Sequence, residues 1–228
     1  MSGAQPLGER PPAPVSDLFA TAVHRFGKAW ADLVVASLVA LALGSVPVLI
    51  VASLSDNHGV YVASMLCYGV AYFALLGQVM LRGLPERVAG GRVAATYACA
   101  LVVGVLAGLM VLVLLWLALP LLPLLMFAVP AVAAGDHPLA ASLWQSARLA
   151  IAHARRVWAV WLIIIAFSGP VVIAWFLFVQ SFSGSVTGVL LALALAAPIA
   201  WPFSALFVRA LYGDLTGRVV VAPQDRTS

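Results

Sequence analysis

Apolar residues in this chain come in long unbroken blocks rather than in alternation with polar ones. Stretches such as LVVASLVALAL and LVVGVLAGLMVLVLLWLAL run for several turns without a charged position. Six blocks stand out, at about 33–54, 60–81, 93–116, 119–134, 157–180 and 186–211. Most reach the ~20 residues that an α-helix needs to cross a bilayer. Lipid offers no partner to backbone N–H and C=O groups, so a chain in it forms helices or a closed barrel. Barrel strands would alternate apolar and polar residues, and these blocks do not. The pattern predicts an all-α integral membrane protein, a bundle of six transmembrane helices.

The third and fourth blocks are nearly continuous from 93 to 134. As one straight helix that stretch would be about 63 Å long, roughly two bilayers. Pro120 and Pro123 lie in its middle, and each removes a backbone donor and disfavours continued helix. We expect a tight turn near 117–122. The fourth block is short and contains Pro130, so 119–134 is either a full span or a re-entrant hairpin.

Two segments read differently from the blocks. In SDLFATAVHRFGKAW, before the first span, Leu18, Phe19, Ala22, Val23, Phe26 and Trp30 share one helical face, with Asp17, Thr21, His24, Arg25 and Lys28 opposite. Ser16 suits the N-cap and Asp17 the first turn. In HPLAASLWQSARLAIAHARRVW, before the fifth span, Leu139, Leu143, Ala147, Ala150, Ile151 and Ala154 make an apolar face, and Gln145, Arg148, His153, Arg155 and Arg156 lie opposite. Pro138 fits the first helical turn. Both predict cytoplasmic helices that lie at the membrane interface, or pack on the end of the bundle, and bend into a span. The chain then divides into three copies of helix plus hairpin, near 16–81, 83–135 and 138–212. Residues 1–14 and 213–228 are expected as polar cytoplasmic tails, the first of them disordered.

Composition strengthens the membrane assignment. Only 9% of the 228 residues are charged and 64% are hydrophobic, against about 25% charged in a soluble domain. The net charge of +4 matters less than its distribution. Arg10, Arg25 and Lys28 precede the first span, Arg82, Arg87 and Arg92 follow the second, and Arg148, Arg155 and Arg156 precede the fifth. Arg209, Arg218 and Arg226 close the chain, and the other three connections carry no Lys or Arg. All twelve basic residues therefore fall on one side, which the positive-inside rule makes cytoplasmic, with both termini there. Trp30, Tyr97 and Trp158 fall near inner ends of spans and Tyr61 and Trp116 near outer ends, as interfacial aromatics do. The opening MSGAQPLGERPPAPVS does not have the pattern of a cleavable signal peptide. The single lysine and abundant alanine suggest a GC-rich bacterial genome, and hence a bacterial inner membrane.

The segment FAVPAVAAGDHPLAASLWQSARLAIAHARRVWAVW carries a small apolar run, a short acidic turn and an amphipathic helix with Ser and Arg leading into a span. It resembles the membrane domain of bacterial glycerophosphodiester phosphodiesterases and that domain's stand-alone six-helix relatives of unknown function. PFSALFVRALYGDLTGR is similar to the closing signature of the same families, an aromatic Leu-Tyr-x-Asp-Leu followed by Arg, and SDLFATAVHRFGKAW fits their start. Gly213 and Thr216 stand where relatives often place Tyr and Arg. The catalytic barrel of the phosphodiesterases needs several carboxylates around a metal, and this chain has two glutamates, Glu9 and Glu86. The resemblance implies an architecture and no phosphodiesterase activity.

Candidate chemistry is sparse. No ionisable residue lies near the middle of a predicted span, which argues against ion-coupled transport through buried carboxylates. Gln78, Tyr68 and Tyr72 suit interhelical hydrogen bonds or headgroup contacts better than a substrate site. Asp136 and His137 read as a helix start, and the histidines have no metal-ligand spacing. Cys67 and Cys99 differ in depth by roughly 10 Å at 1.5 Å per residue, beyond the ~7 Å Cα limit of a disulfide. Rows of small residues (Gly104 and Gly108; Ala36, Ala40 and Gly44; Gly188 through Ser204) allow close helix approach, first within the chain and second between copies. Asp214 suits a structural pairing with Arg218 or Arg156.

These features predict a non-catalytic protein without cofactor or metal, acting through membrane lipids, anionic headgroups among them, or through a membrane-protein or homo-oligomeric partner. Nucleic acid is not expected. The candidate contacts are Arg25, Lys28, Arg148, Arg155, Arg156, Asp214 and Arg218. The alternative is a transporter or channel for a small or lipid-like molecule, suggested by prolines in the spans, Pro47, Pro170, Pro198 and Pro202.

Overall fold

A computed structural model describes residues 13–54, 57–84, 88–113, 115–135, 137–181 and 186–217. Among the described residues eight helices follow one another: α1 (Val15–Leu54), α2 (Asn57–Arg82), α3 (Gly90–Val113), α4 (Leu115–Leu125), α5 (Ala128–Ala133), α6 (Leu139–Ala152), α7 (Ala154–Ser181) and α8 (Val186–Leu215). The described residues contain no strand. Among the described residues three helical stretches are long and apolar enough to cross a membrane: α1, residues Val62–Arg82 of α2, and α3. The pair α6–α7, bent by 98°, makes up to four. Leu43, Ile50, Leu101 and Leu162 lie exposed on the outside, an apolar surface that suits lipid and would be an aggregation liability in water.

The amphipathic opening and the first apolar block form the single element α1, kinked at Ala29 (φ −126°, ψ 20°). Leu18 and Ala22 are buried, while Val23 and Trp30 of the expected apolar face are exposed. The Phe19 ring meets Phe203 and Phe207 of α8 edge-on, at 5.4 and 6.0 Å. Taken whole, α1 packs more extensively on α8 than on α2.

Helices α2 and α3 pack most closely of all, and glycine is the reason. A Cβ on Gly104 would stand 2.4 Å from the Val70 Cα, and one on Gly108 would stand 2.9 Å from the Met65 carbonyl oxygen. Opposite them, a Cβ on Gly69 would stand 2.7 Å from the Gly104 oxygen. The expected small-residue row therefore serves packing within the chain. The row on α1 does likewise, for Gly44 faces the Cys67 carbonyl and the Tyr68 ring of α2. The Ser45 and Tyr68 hydroxyls, 3.2 Å apart, bridge the same pair of helices.

The prolines act differently from expectation. Pro120 and Pro123 lie inside α4, and the described break falls later, at Met126 and Phe127. A proline costs a helix one backbone bond and need not end it when neighbours pack against the segment. From Leu115 to Gly135 the chain returns along α3. Leu122 and Met126 share a small apolar void with Ala107 and Gly108. Val129 and Thr96 both close on Gly77, and Gly135 lies beneath the Arg92 guanidinium. Helix α5 sits at the centre of the molecule, buried from end to end among α2, α3 and α6.

Candidate functional site

Broken helix deep in a bundle leaves backbone groups that need partners. At the α4–α5 break, Ser146 of α6 supplies both. Its hydroxyl donates to the Leu124 carbonyl (2.6 Å) and accepts from the Phe127 N–H (3.0 Å). One turn earlier, Ser142 donates to the Leu139 carbonyl of its own helix (2.6 Å) and lies 3.8 Å from the Cys99 thiol. Ser142, Ser146 and Ala150 are the buried line of α6. At 100° per residue, that inward face is turned by roughly 70° from the apolar face read in the sequence. Ile151, a member of the expected apolar face, is 68% exposed, and Trp144 is 74% exposed.

The outward stripe of α6 thus consists of Trp144, Arg148 and Ile151, at i, i+4 and i+7 on one side of the helix. Arg155 stands exposed just past the bend. Of the expected site residues, then, Arg148 and Arg155 face away from the bundle.

Arg156 and Asp214 face each other instead. The Arg156 guanidinium pairs with the Asp214 carboxylate at 2.7 Å and also donates to the Ala13 carbonyl. The Ala13 N–H donates to the second carboxylate oxygen at 3.1 Å. Three distant points of the chain (Ala13 ahead of α1, the first turn of α7 and the end of α8) meet in one junction. The expected disordered tail accordingly ends in an anchored residue at Ala13. Beyond Asp214, α8 closes at Gly217 in the left-handed conformation (φ 67°), which glycine adopts without strain. Arg218 lies outside the described residues.

No protein-family model, curated protein or solved structure matches the chain.

Arg25 and Lys28 come together with two cations that the sequence reading did not group with them. Arg82 ends α2, and Arg209 lies near the end of α8. All four line a cavity of about 580 Å³ between α1, α2 and α8, alongside His24 and Asp32. Arg209 also closes the end of α2. Its guanidinium donates to the Val79 carbonyl (3.3 Å) and the Gly83 carbonyl (2.9 Å). A cation there satisfies orphan carbonyls and meets the negative end of the helix dipole. Gly83 leaves room for it, since a Cβ on Gly83 would fall 1.7 Å from the Arg209 Cζ. Burial pulls the Arg25 guanidinium, which precedes the apolar arm of α1, below its ordinary pKa. Its charge is also felt by Arg209 across the cavity. A basic residue at the end of each of two predicted spans was the signal available for grouping Arg82 with Arg209. Among the described residues no group of His, Cys, Asp and Glu is arranged to hold a metal ion. Cys67 and Cys99 are both free thiols.

Proposed function

We propose that this is a six-span bacterial inner-membrane protein with both termini cytoplasmic, which acts without catalysis through bound lipid or a membrane partner. The observation that carries the reading is the outward stripe of α6. Trp144 and Ile151 flank Arg148 on a helix set at 98° to the one that follows. If α7 crosses the bilayer, α6 lies along its surface, with the aromatic and aliphatic groups at the acyl boundary and the arginine among headgroups. A cation near an anionic surface contributes about 1 kcal/mol.

The return of α4 and α5 along α3, from Leu115 to Gly135 beside Arg92, supports two crossings rather than one between 93 and 134. That parity keeps all twelve basic residues on one side. Bends at Ala29 and at His153, each between an amphipathic and an apolar arm, support a helix-plus-hairpin layout for 16–81 and 138–212. The copy at 83–135 opens directly on α3. The layout resembles the membrane domain of the phosphodiesterases and its stand-alone relatives.

Native mass spectrometry of the protein released from nanodiscs of mixed zwitterionic and anionic phospholipid tests the proposal. One lipid class held at fixed stoichiometry supports lipid handling. A co-purifying protein at fixed ratio supports the partner role. A chain that turns over or transports a solute, with the rate lost on a single substitution, overturns both. The transporter alternative finds one feature in its favour, an apolar void of about 190 Å³ bounded by Gly69, Tyr72, Met126 and Trp161. Filling it with Val111→Phe, a lining position, and finding an unchanged flux of a candidate solute would remove that support.

A further inference from the structure

Leu66, Val70, Ala74 and Gln78 stand one turn apart along α2, each half-buried. They line a groove of about 660 Å³ together with residues of α1 and α3, among them the exposed Val39, Leu43 and Leu101. Polarity changes along the groove. Gln78 and Tyr97 line it at one level, because Gly77 and Thr96 beside them meet across the α2–α3 contact. Arg82 stands exposed one turn beyond Gln78. From that end to Leu66 and Pro47 the rest of the lining is apolar. The run from Gln78 back to Leu66 covers about 18 Å at 1.5 Å per residue. One hydrocarbon leaflet is about 15 Å deep, half of the ~30 Å core. We propose that this groove holds one acyl chain of an anionic phospholipid, whose ester and phosphate groups lie at Gln78, Tyr97 and Arg82.

The volume falls within the ~300–1,000 Å³ typical of small-ligand sites, and the shape suits a chain lying parallel to the helices. The amide and phenol at the polar end are donors, which ester and phosphate oxygens accept. Among the described residues neither group has a partner within the bundle, so both are available to a ligand. A guanidinium at the level of the phosphate adds a charge-assisted contact. A second chain's helix suits the groove less. Close helix approach needs small residues, and the small row of α1 is already closed on α2, where Gly44 meets Ala71 and the Cys67 carbonyl. The rim that faces outward is branched aliphatic instead. Nor does a second apolar helix call for donors at one end only. The inference rests on the membrane reading above. If Arg82 faces the cytoplasm as proposed there, the lipid belongs to the inner leaflet.

The test uses the full-length chain in vesicles of phosphatidylethanolamine and phosphatidylglycerol. A trace of the phosphatidylglycerol carries a photoactivatable diazirine, either beside the ester or at the end of one acyl chain. Labelled peptides are mapped by mass spectrometry. We expect the ester-end probe to mark α2 around Gln78 and α3 around Tyr97, and the chain-end probe to mark α2 around Leu66. Ala74→Phe puts a ring into the groove and should abolish labelling there. Gln78→Leu keeps the bulk of the side chain and should weaken it roughly fivefold, as for one lost hydrogen bond. Ile199→Phe, a ring added on the exposed face of α8, is the control and should leave the map unchanged. Gel filtration shows whether Ala74→Phe folds; if it does not, Gln78→Leu and the wild-type map decide. Even labelling of all exposed faces, Ile199 included, would reduce the effect to ordinary lipid contact and overturns the site. So does a map that either folded variant leaves unchanged. A dimer in native mass spectrometry whose groove is unlabelled also overturns it, and assigns the face to a second copy. A chain that neither probe labels anywhere is not in the bilayer, and the membrane reading falls with the site. Labelled exposed faces around an unlabelled groove remove the site alone.

Discussion

At the scale of single residues, the polar side chains inside this bundle are structural fasteners whose cost of removal can be ranked. Ser146 serves two backbone groups on another segment, whereas Ser142 bonds within its own helix. Ser146→Ala should therefore lower stability by about 1–3 kcal/mol, the cost of leaving buried polar groups unpaired. Ser142→Ala should cost less than about 1 kcal/mol. Thermal unfolding of both variants in one detergent checks the order, and equal losses would contradict it. Gly83 and Arg209 offer a second comparison. Gly83→Ala drives a methyl group into the guanidinium and should unseat the cap as Arg209→Ala does, about 1.5–3 kcal/mol for charged hydrogen bonds. Because both remove one interaction, their double variant should be no worse than the larger single loss. Additive losses would show that Gly83 matters for another reason.

At the scale of elements, close approach and exposure divide the helices. Gly104→Leu should force α2 and α3 apart, since backbone atoms already occupy the space. Loss of the monodisperse species in gel filtration is the expected result. Leu101→Ala, on the exposed face of the same helix, should stay within about 0.5 kcal/mol of wild type. For α6, lipids brominated near the headgroup should quench Trp144, and Trp144→Phe should remove part of the total quenching. No change on that substitution would mean that α6 stands clear of the bilayer.

The same elements show how far the sequence could be read. The long apolar helices, the bends before two of them, the glycine row of α3 and the Arg156–Asp214 pair were all legible, because each rests on local spacing or on charge. The face of α6 was not. The sequence pattern put Arg148 on the polar face opposite Ile151, whereas Arg148 and Ile151 share one exposed side with Trp144. Ser146 is drawn inward by backbone groups that only the break exposes. Nor could the reversal be located, since two prolines pointed to 117–122, whereas α3 ends at Val113, the return along it begins at Leu115 and both prolines lie inside α4. The basic cavity was hidden because Arg25, Arg82 and Arg209 meet only through the contacts of α1, α2 and α8.

At the scale of the whole molecule, the return of residues 115–135 along α3 makes a claim about sidedness. A reporter fused after Ala134 should read out as cytoplasmic, and one fused after Ser53 as periplasmic. A periplasmic signal at the first would reduce 93–134 to one crossing and place Arg148, Arg155 and Arg156 outside.

The pairing of α1 with α8 also bears on how the protein is made. Helix α1 leaves the ribosome well ahead of its largest partner, whose start at Val186 lies some 130 residues after Leu54. At ~5–20 residues per second, α1 waits on the order of ten seconds for it. During that time Arg25 and Lys28 are without Arg209, and Ala13 has no Asp214 to hold. The packing of α1 is completed only when α8 arrives, so a chain stopped before α8 should be an early substrate for quality-control proteases.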